Sequence, residues 1–226
     1  VPYSKNMRVI TIIDTDVPFD APTLRGFQGI AVDANGNVYA SGDNGGAPAN
    51  KSFFKKYVPN GSKTVWTVDG AFAPTTTVNR FAGCAVVNNS LLVVPQTAAA
   101  PQFIDTTNGS SVGSLPTNQN YGREATFNPD NDDIYVSHNG NYSTASLTIY
   151  NGGTPSTLGA YAKDTDAGLG GATNTQYGTG TQCNGYDAVN HQIVHVNNLT
   201  VPKQVEIYDV NTSSRGAASI QLPAVQ

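Results

Sequence analysis

An all-β fold built from repeated four-stranded antiparallel units is predicted by three observations. Only 12% of the 226 residues are charged, while Gly, Asn, Thr and Ser abound, a balance that suits short strands joined by turns rather than helices. A strand-turn-strand pattern recurs four times along the chain. Each copy is followed, after a polar segment, by a second hairpin.

The first hairpin is clearest in Phe27 to Gly45, FQGIAVDANGNVYASGDNG. Apolar Gly29-Ile30-Ala31-Val32 and Val38-Tyr39-Ala40 flank a polar centre, where Asn35-Gly36 predicts a type I′ turn because both residues tolerate positive φ. The other copies are GCAVVNNSLLVV (Gly83 to Val94), REATFNPDNDDIYVS (Arg123 to Ser137) and GYDAVNHQIVHV (Gly185 to Val196). Second hairpins follow in Phe53 to Val68, Gln102 to Leu115, Ser146 to Tyr161 and Gln204 to Leu222. The turns near Asn35, Asn89, Asn131 and Asn190 lie roughly 40 to 60 residues apart, the period of a blade in a β-propeller. The expected organisation is a single β-propeller domain over residues 1–226, with blades at about 26–70, 80–116, 122–162 and 181–223.

One strand is left over. MRVITIID (Met7 to Asp14) resembles the outer strand KTVWTVDG (Lys63 to Gly70) and reads as a spare N-terminal strand over residues 7–14. A small ring that the strand caps, a portion of a larger ring, and exchange with a neighbouring molecule all remain open, the last because an unpaired strand edge templates another chain.

Gly29, Ala31, Val32, Asp33, Asn35, Gly36 and Asn37 resemble the G-x-A-V-D-x-x-G-N-x-Y core of NHL and SMP-30-like β-propeller repeats. The resemblance is specific over residues 26–45 and weaker elsewhere: Glu124 stands where Gly is expected, and Val87 and Val189 replace the Asp. It implies a ring of six or more blades, which favours the larger-ring account of the spare strand.

A net charge of −4, with Lys55-Lys56 as the basic cluster, argues against a phosphate-binding surface, so nucleic acid is not an expected partner. No apolar run approaches the roughly 20 residues a membrane span needs. No signal or lipidation motif is visible, and a chain that begins at Val1 reads as processed or cut from a longer protein. An extracellular or cell-surface location is expected. Cys84 and Cys183 open the inner strands of the second and fourth units, which face each other across the axis of a small ring, so a disulfide between them is expected there. Candidate glycosylation sequons occur at Asn50, Asn60, Asn88, Asn108, Asn141, Asn198 and Asn211. Turn chemistry alone accounts for Asn60, Asn108 and Asn211, which share one repeated turn position.

Functional residues are expected where long loops enter inner strands (Asp69 to Arg80, Pro116 to Gly122, Asp164 to Gln182) and leave second strands (Asp43 to Lys51, Gln96 to Gln102, His138 to Ala145, Asn197 to Lys203). The junctions place Arg25, Gln28, Asp43, Asn44, Arg80, Gln96, Arg123, Glu124, His138, Gln182, Asn184 and Asn197 around one mouth. Three arginines there suit a protein or glycan ligand, since a guanidinium offers a planar fork of donors. Ties between blades through backbone carbonyls and Glu124 are the commoner use of such arginines. Asp43, Glu124 and His138 are the one candidate set for a metal-dependent hydrolase or lyase, but no spacing rule selects them. Asp130 to Asp133, DNDD, lacks a calcium-loop register and reads as a solvated turn. No G-x-S-x-G and no dinucleotide or phosphate loop is present. Expected, therefore, is a binding, adhesion or structural module with no catalysis, catalytic metal or cofactor, and with self-assembly as an alternative.

Overall fold

The computed structural model describes residues 27–44, 51–74, 81–95, 99–116, 122–138, 147–158, 161–164, 181–197, 204–210, 214–215 and 220–221. The spare strand Met7 to Asp14 lies outside them, as does part of every long loop.

Every described strand belongs to one of four antiparallel sheets, and no helix occurs among the described residues. The first sheet runs β1 (Phe27–Val32), β2 (Val38–Asn44), β3 (Lys51–Pro59) and β4 (Trp66–Val68). The second runs β5 (Phe81–Val87), β6 (Ser90–Pro95), β7 (Gln102–Asp105) and β8 (Ser111–Ser114). The third runs β9 (Gly122–Asn128), β10 (Asp133–His138), β11 (Leu147–Asn151) and β12 (Ala162–Asp164). In the fourth, β13 (Thr181–Asp187), β14 (Gln192–Asn197) and β15 (Gln204–Asp209) are followed by two short strands, β16 (Ser214–Arg215) and β17 (Ile220–Gln221), both paired with β15.

The sheets pack in chain order: β1 lies against β5, β5 against β9, and β9 against β13. Three apolar cores fill the gaps. Tyr39, Phe54, Phe81, Cys84, Leu91 and Val93 join the first sheet to the second. Leu92, Val94, Phe103, Ile134, Val136 and Tyr150 join the second to the third. Tyr135, Leu147, Ile149, Ile193 and Tyr208 join the third to the fourth. Successive residues of a strand point to opposite faces, so β6 divides its apolar run, Leu91 and Val93 facing one neighbour and Leu92 and Val94 the other. Burial of both faces is why that segment reads as continuous apolar sequence instead of alternating.

Two sequence expectations change in detail. The first hairpin turns through five residues, Asp33 to Asn37, because the Asp33 carboxylate accepts the backbone N–H groups of Asn35 and Asn37, both at 2.9 Å. Of Asn35 and Gly36, only Gly36 has positive φ (88°), so the turn is not type I′. The fourth strand of the third sheet begins at Ala162, beyond the hairpin expected to end at Tyr161. Thr154 to Thr157 closes a turn around Pro155, with Thr157 N–H donating to Thr154 O at 3.1 Å, and Pro is favoured at the second position of such turns.

Candidate functional site

Each inner hairpin carries one extra residue at the same place. The register between first and second strands slips between Phe27 and Gly29, between Phe81 and Cys84, between Gly122 and Ala125, and between Thr181 and Asn184. A β-bulge of this kind bends the strand and re-aims the side chains beside it. Three of the four bulges sit where a long loop enters the inner strand and the fourth opens β1, and together they bring Gln28, Arg123, Glu124 and Gln182 to one end of the four sheets.

Close packing at that end depends on glycine. A Cβ added at Gly29 would stand 2.6 Å from Ser41 Oγ and 2.7 Å from Ala82 O, and one added at Gly83 would stand 2.5 Å from Glu124 Oε1 and 2.6 Å from Glu124 Cα. The inner strands therefore approach backbone to backbone. Ser41, fully buried, donates its hydroxyl to Ala82 O at 2.7 Å and ties the first sheet to the second. In the third sheet Glu124 replaces the glycine and turns its carboxylate back on the second sheet, where Cys84 N–H donates to it, while Ala125 N–H donates at 3.2 Å. Burial dominates these two donors and pushes the carboxyl up to about 7. At neutral pH the group holds its proton in a large fraction of molecules.

Cys84 carries a free thiol and is buried, so the disulfide expected with Cys183 is not formed in this structure. Cys84 belongs to the core between the first two sheets; the side chain of Cys183 is outside the described residues. Burial, then the neighbouring Glu124, raises the thiol far above its ordinary range, the opposite of what a nucleophilic cysteine needs.

Other expected mouth residues are engaged within the fold. His138 is fully buried, its Nε2 2.8 Å from Thr148 Oγ1 on β11. Its imidazole thus meets the third strand of its own sheet, while Glu124 faces the second sheet. Asn184 accepts a short hydrogen bond from Thr126 Oγ1 and donates Nδ2 to Tyr135 O at 3.4 Å, joining the fourth sheet to the third. The Asn184 contacts link neighbouring sheets, while the His138 contact stays within the third. Arg123 is partly buried in the third bulge, between Gly122 and Glu124. Arg25, Arg80 and Gln96 lie outside the described residues, and for Gln28, Asp43, Asn44, Gln182 and Asn197 the backbone alone is described. Among the described residues no three His, Cys, Asp or Glu side chains converge to hold a metal.

Among the sequons, Asn60, Asn88 and Asn108 are exposed. Asn60 Oδ1 accepts Thr64 N–H at 2.9 Å and Asn108 Oδ1 accepts Ser110 N–H at 2.8 Å, so both amides serve their turns. Asn50, Asn141, Asn198 and Asn211 are outside the described residues. No described helix is long and apolar enough to cross a membrane.

Ser41, Thr126 and the Asp130-Tyr186-His191 group were not visible as interacting residues in the sequence. The available signal was the repeat itself, which sets the turns at Asn131 and Asn190 side by side at the end opposite the bulges.

No protein-family model matches the sequence, and no curated protein matches it. Among solved structures the chain is similar to Kuenenia stuttgartiensis hydrazine synthase, with a TM-score of 0.58 and 13% identity over 94% of this chain and 53% of that one. It is similar also to the computationally designed Ika4 protein, with a TM-score of 0.51 and 9% identity over 81% of this chain and 91% of that one. The chain spans about half the length of the hydrazine synthase chain. At such identities the likeness concerns the fold alone.

Proposed function

We propose that the chain is a four-bladed β-propeller, secreted or displayed at the cell surface, serving as a binding, adhesion or structural module through the bulged end of its ring. The observation that carries this reading is the bulge repeated at the start of all four inner strands, since bulges gather where a sheet rim must present side chains. Ring closure is part of the proposal, since the described sheets pack in a row from first to fourth. Ala31 packs on the core between the first two sheets, so Ile30 and Val32, 68% and 58% exposed, occupy the opposite face of β1, where a closing fourth sheet would cover them. The burial of Cys84 and His138 and the inter-sheet role of Glu124 favour binding over catalysis.

The ligand class is a protein segment or glycan gripped at the mouth, with Arg123 as a donor fork. Screening the chain against immobilised glycans and peptides should yield a ligand whose affinity falls tenfold or more in Arg123→Ala. Undiminished binding in that variant, or no ligand in either set, contradicts the reading.

A second reading has one observation in its favour. Each described sheet already owns its outer strands, β4, β8, β12, and β16 with β17, so none needs Met7 to Asp14 to complete it. In this reading Met7 to Asp14 pairs with a neighbouring molecule in a surface layer or filament. Deleting residues 1–14 should leave folded monomers that no longer assemble; assembly unchanged by the deletion rules exchange out.

A further inference from the structure

The hairpin turns at the end opposite the bulges hold a second cluster. Asp130, at the tip of the β9–β10 turn, and His191, at the end of the β13–β14 turn, lie with Oδ2 and Nδ1 2.8 Å apart, each side chain 46% exposed. The phenol of Tyr186, on β13, donates a short hydrogen bond to Asp130 Oδ2 and lies 3.0 Å from His191 Nδ1. A carboxylate oxygen, a phenol oxygen and an imidazole nitrogen therefore meet at one point, from two sheets, with an open side to solvent.

The turns build this convergence. His191 has φ of 54° and Asp132 of 61° at matching ends of the two four-residue turns, a left-handed conformation that His, Asp and Asn adopt more readily than other non-glycine residues. That conformation closes each turn and leaves the His191 ring against Asp130.

Donor spacing discriminates among ligands. Two atoms each about 2.0 Å from a metal stand about 2.8 Å apart at right angles and about 3.3 Å apart in a tetrahedron. The 2.8 and 3.0 Å that separate His191 Nδ1 from the two oxygens are close to the spacing of adjacent positions around a tetragonal or octahedral ion, while the shorter Asp130–Tyr186 contact has to lengthen as the ion enters. Mixed N and O donors in that geometry are the preference of Cu²⁺ and Ni²⁺. Asp187, capping the β13–β14 turn through Val189 N–H at 2.9 Å, adds negative charge nearby.

We propose that Asp130, Tyr186 and His191 form a surface site for a divalent transition-metal ion, with Cu²⁺ bound most tightly, that bridges the third and fourth sheets. Asp130 supplies a carboxylate oxygen and His191 supplies Nδ1, the ring proton residing on Nε2. Tyr186 supplies its oxygen, releasing the phenolic proton to solvent as the metal takes its place. Remaining positions are filled by water. Without metal, the same three atoms satisfy one another by hydrogen bonds, so the site is assembled before the ion arrives.

The test is titration of the full chain with Cu²⁺, buffered by glycine, followed by electron paramagnetic resonance and visible absorption. One ion per chain is expected, with hyperfine structure from a single imidazole nitrogen. A phenolate charge-transfer band should disappear in Tyr186→Phe. His191→Asn, which keeps a residue suited to the left-handed turn, and Asp130→Asn should each weaken binding at least tenfold, whereas His195→Ala should leave it unchanged. Near-UV circular dichroism establishes that each variant is folded. Equal affinity in the His191→Asn protein, or a copper spectrum with no imidazole nitrogen, overturns the proposal.

Discussion

Gly83→Ala strikes the contact on which inter-sheet packing most depends. The added methyl would lie within 2.6 Å of Glu124 Cα and 2.5 Å of Glu124 Oε1, distances that real Cβ contacts do not reach. The Glu124 side chain could swing aside, but its backbone could not, because Glu124 N–H is bonded to Ser137 Oγ at 3.2 Å and the strand is paired with β10. Relief requires β5 and β9 to separate, loosening the core of Ala85, Leu92, Val136 and their neighbours. Overpacking of this kind costs about 1–3 kcal/mol, and a backbone obstacle belongs at the upper end. For a chain of this length each kcal/mol lowers Tm by about 2–4 °C, so a fall of about 6–12 °C is expected by calorimetry. Gly61→Ala is the matched control: no atom lies within 4 Å of the added carbon, and the change should be neutral or slightly stabilising. If the two variants melt within about 2 °C of each other, the second and third sheets do not pack through Gly83.

Two further outcomes follow from the same end of the sheets. Burial raises the Glu124 carboxyl to about 7 from its ordinary 4.5, so the folded state binds this proton more tightly than the unfolded chain does. Its stabilisation is fully present below the unfolded pKa and is lost as pH rises through about 7, by at most about 3 kcal/mol; urea midpoints should fall from pH 5 to pH 8 in the native protein and stay flatter in Glu124→Gln, and parallel profiles would refute the assignment. The Cys84 thiol should resist a water-soluble disulfide reagent in the folded protein and react on denaturation, because it is buried with its proton firmly held; rapid modification of Cys84 under native conditions, located by peptide mapping, would contradict its burial.

The four-unit organisation was legible because each unit repeats two hairpins, and hairpin signals are local. Glu124 was legible too, as the residue that breaks the Gly29 and Gly83 pattern, although its carboxyl's turn toward Cys84 depends on the neighbouring sheet. Turn geometry at Asp33 was misread because a side-chain cap, rather than the Asn-Gly dipeptide, sets the loop. Val189 looked like the fourth counterpart of Asp33, yet it is 86% exposed at the turn tip, while Asp187 accepts the turn's N–H groups. His138 stands at the end of β10 as expected, whereas Asn184 lies in the middle of β13 instead of at a loop junction, and their partners, Thr148 and Thr126, come from separate strands that no local pattern connects. The Asp130-His191 contact spans 61 residues and becomes visible only once the repeats are superposed.

Closure of the four sheets into a ring is tested most directly by distances between equivalent turns. Spin labels at Asn35 and Asn89 report the spacing of the first and second sheets, and labels at Asn35 and Val189 that of the first and fourth, in a background lacking the two native cysteines. A closed four-bladed ring predicts a ratio of the second distance to the first of about one, since the first and fourth blades are then neighbours. A ratio of about two or more, as in an open row of sheets or an arc of a larger ring, contradicts it.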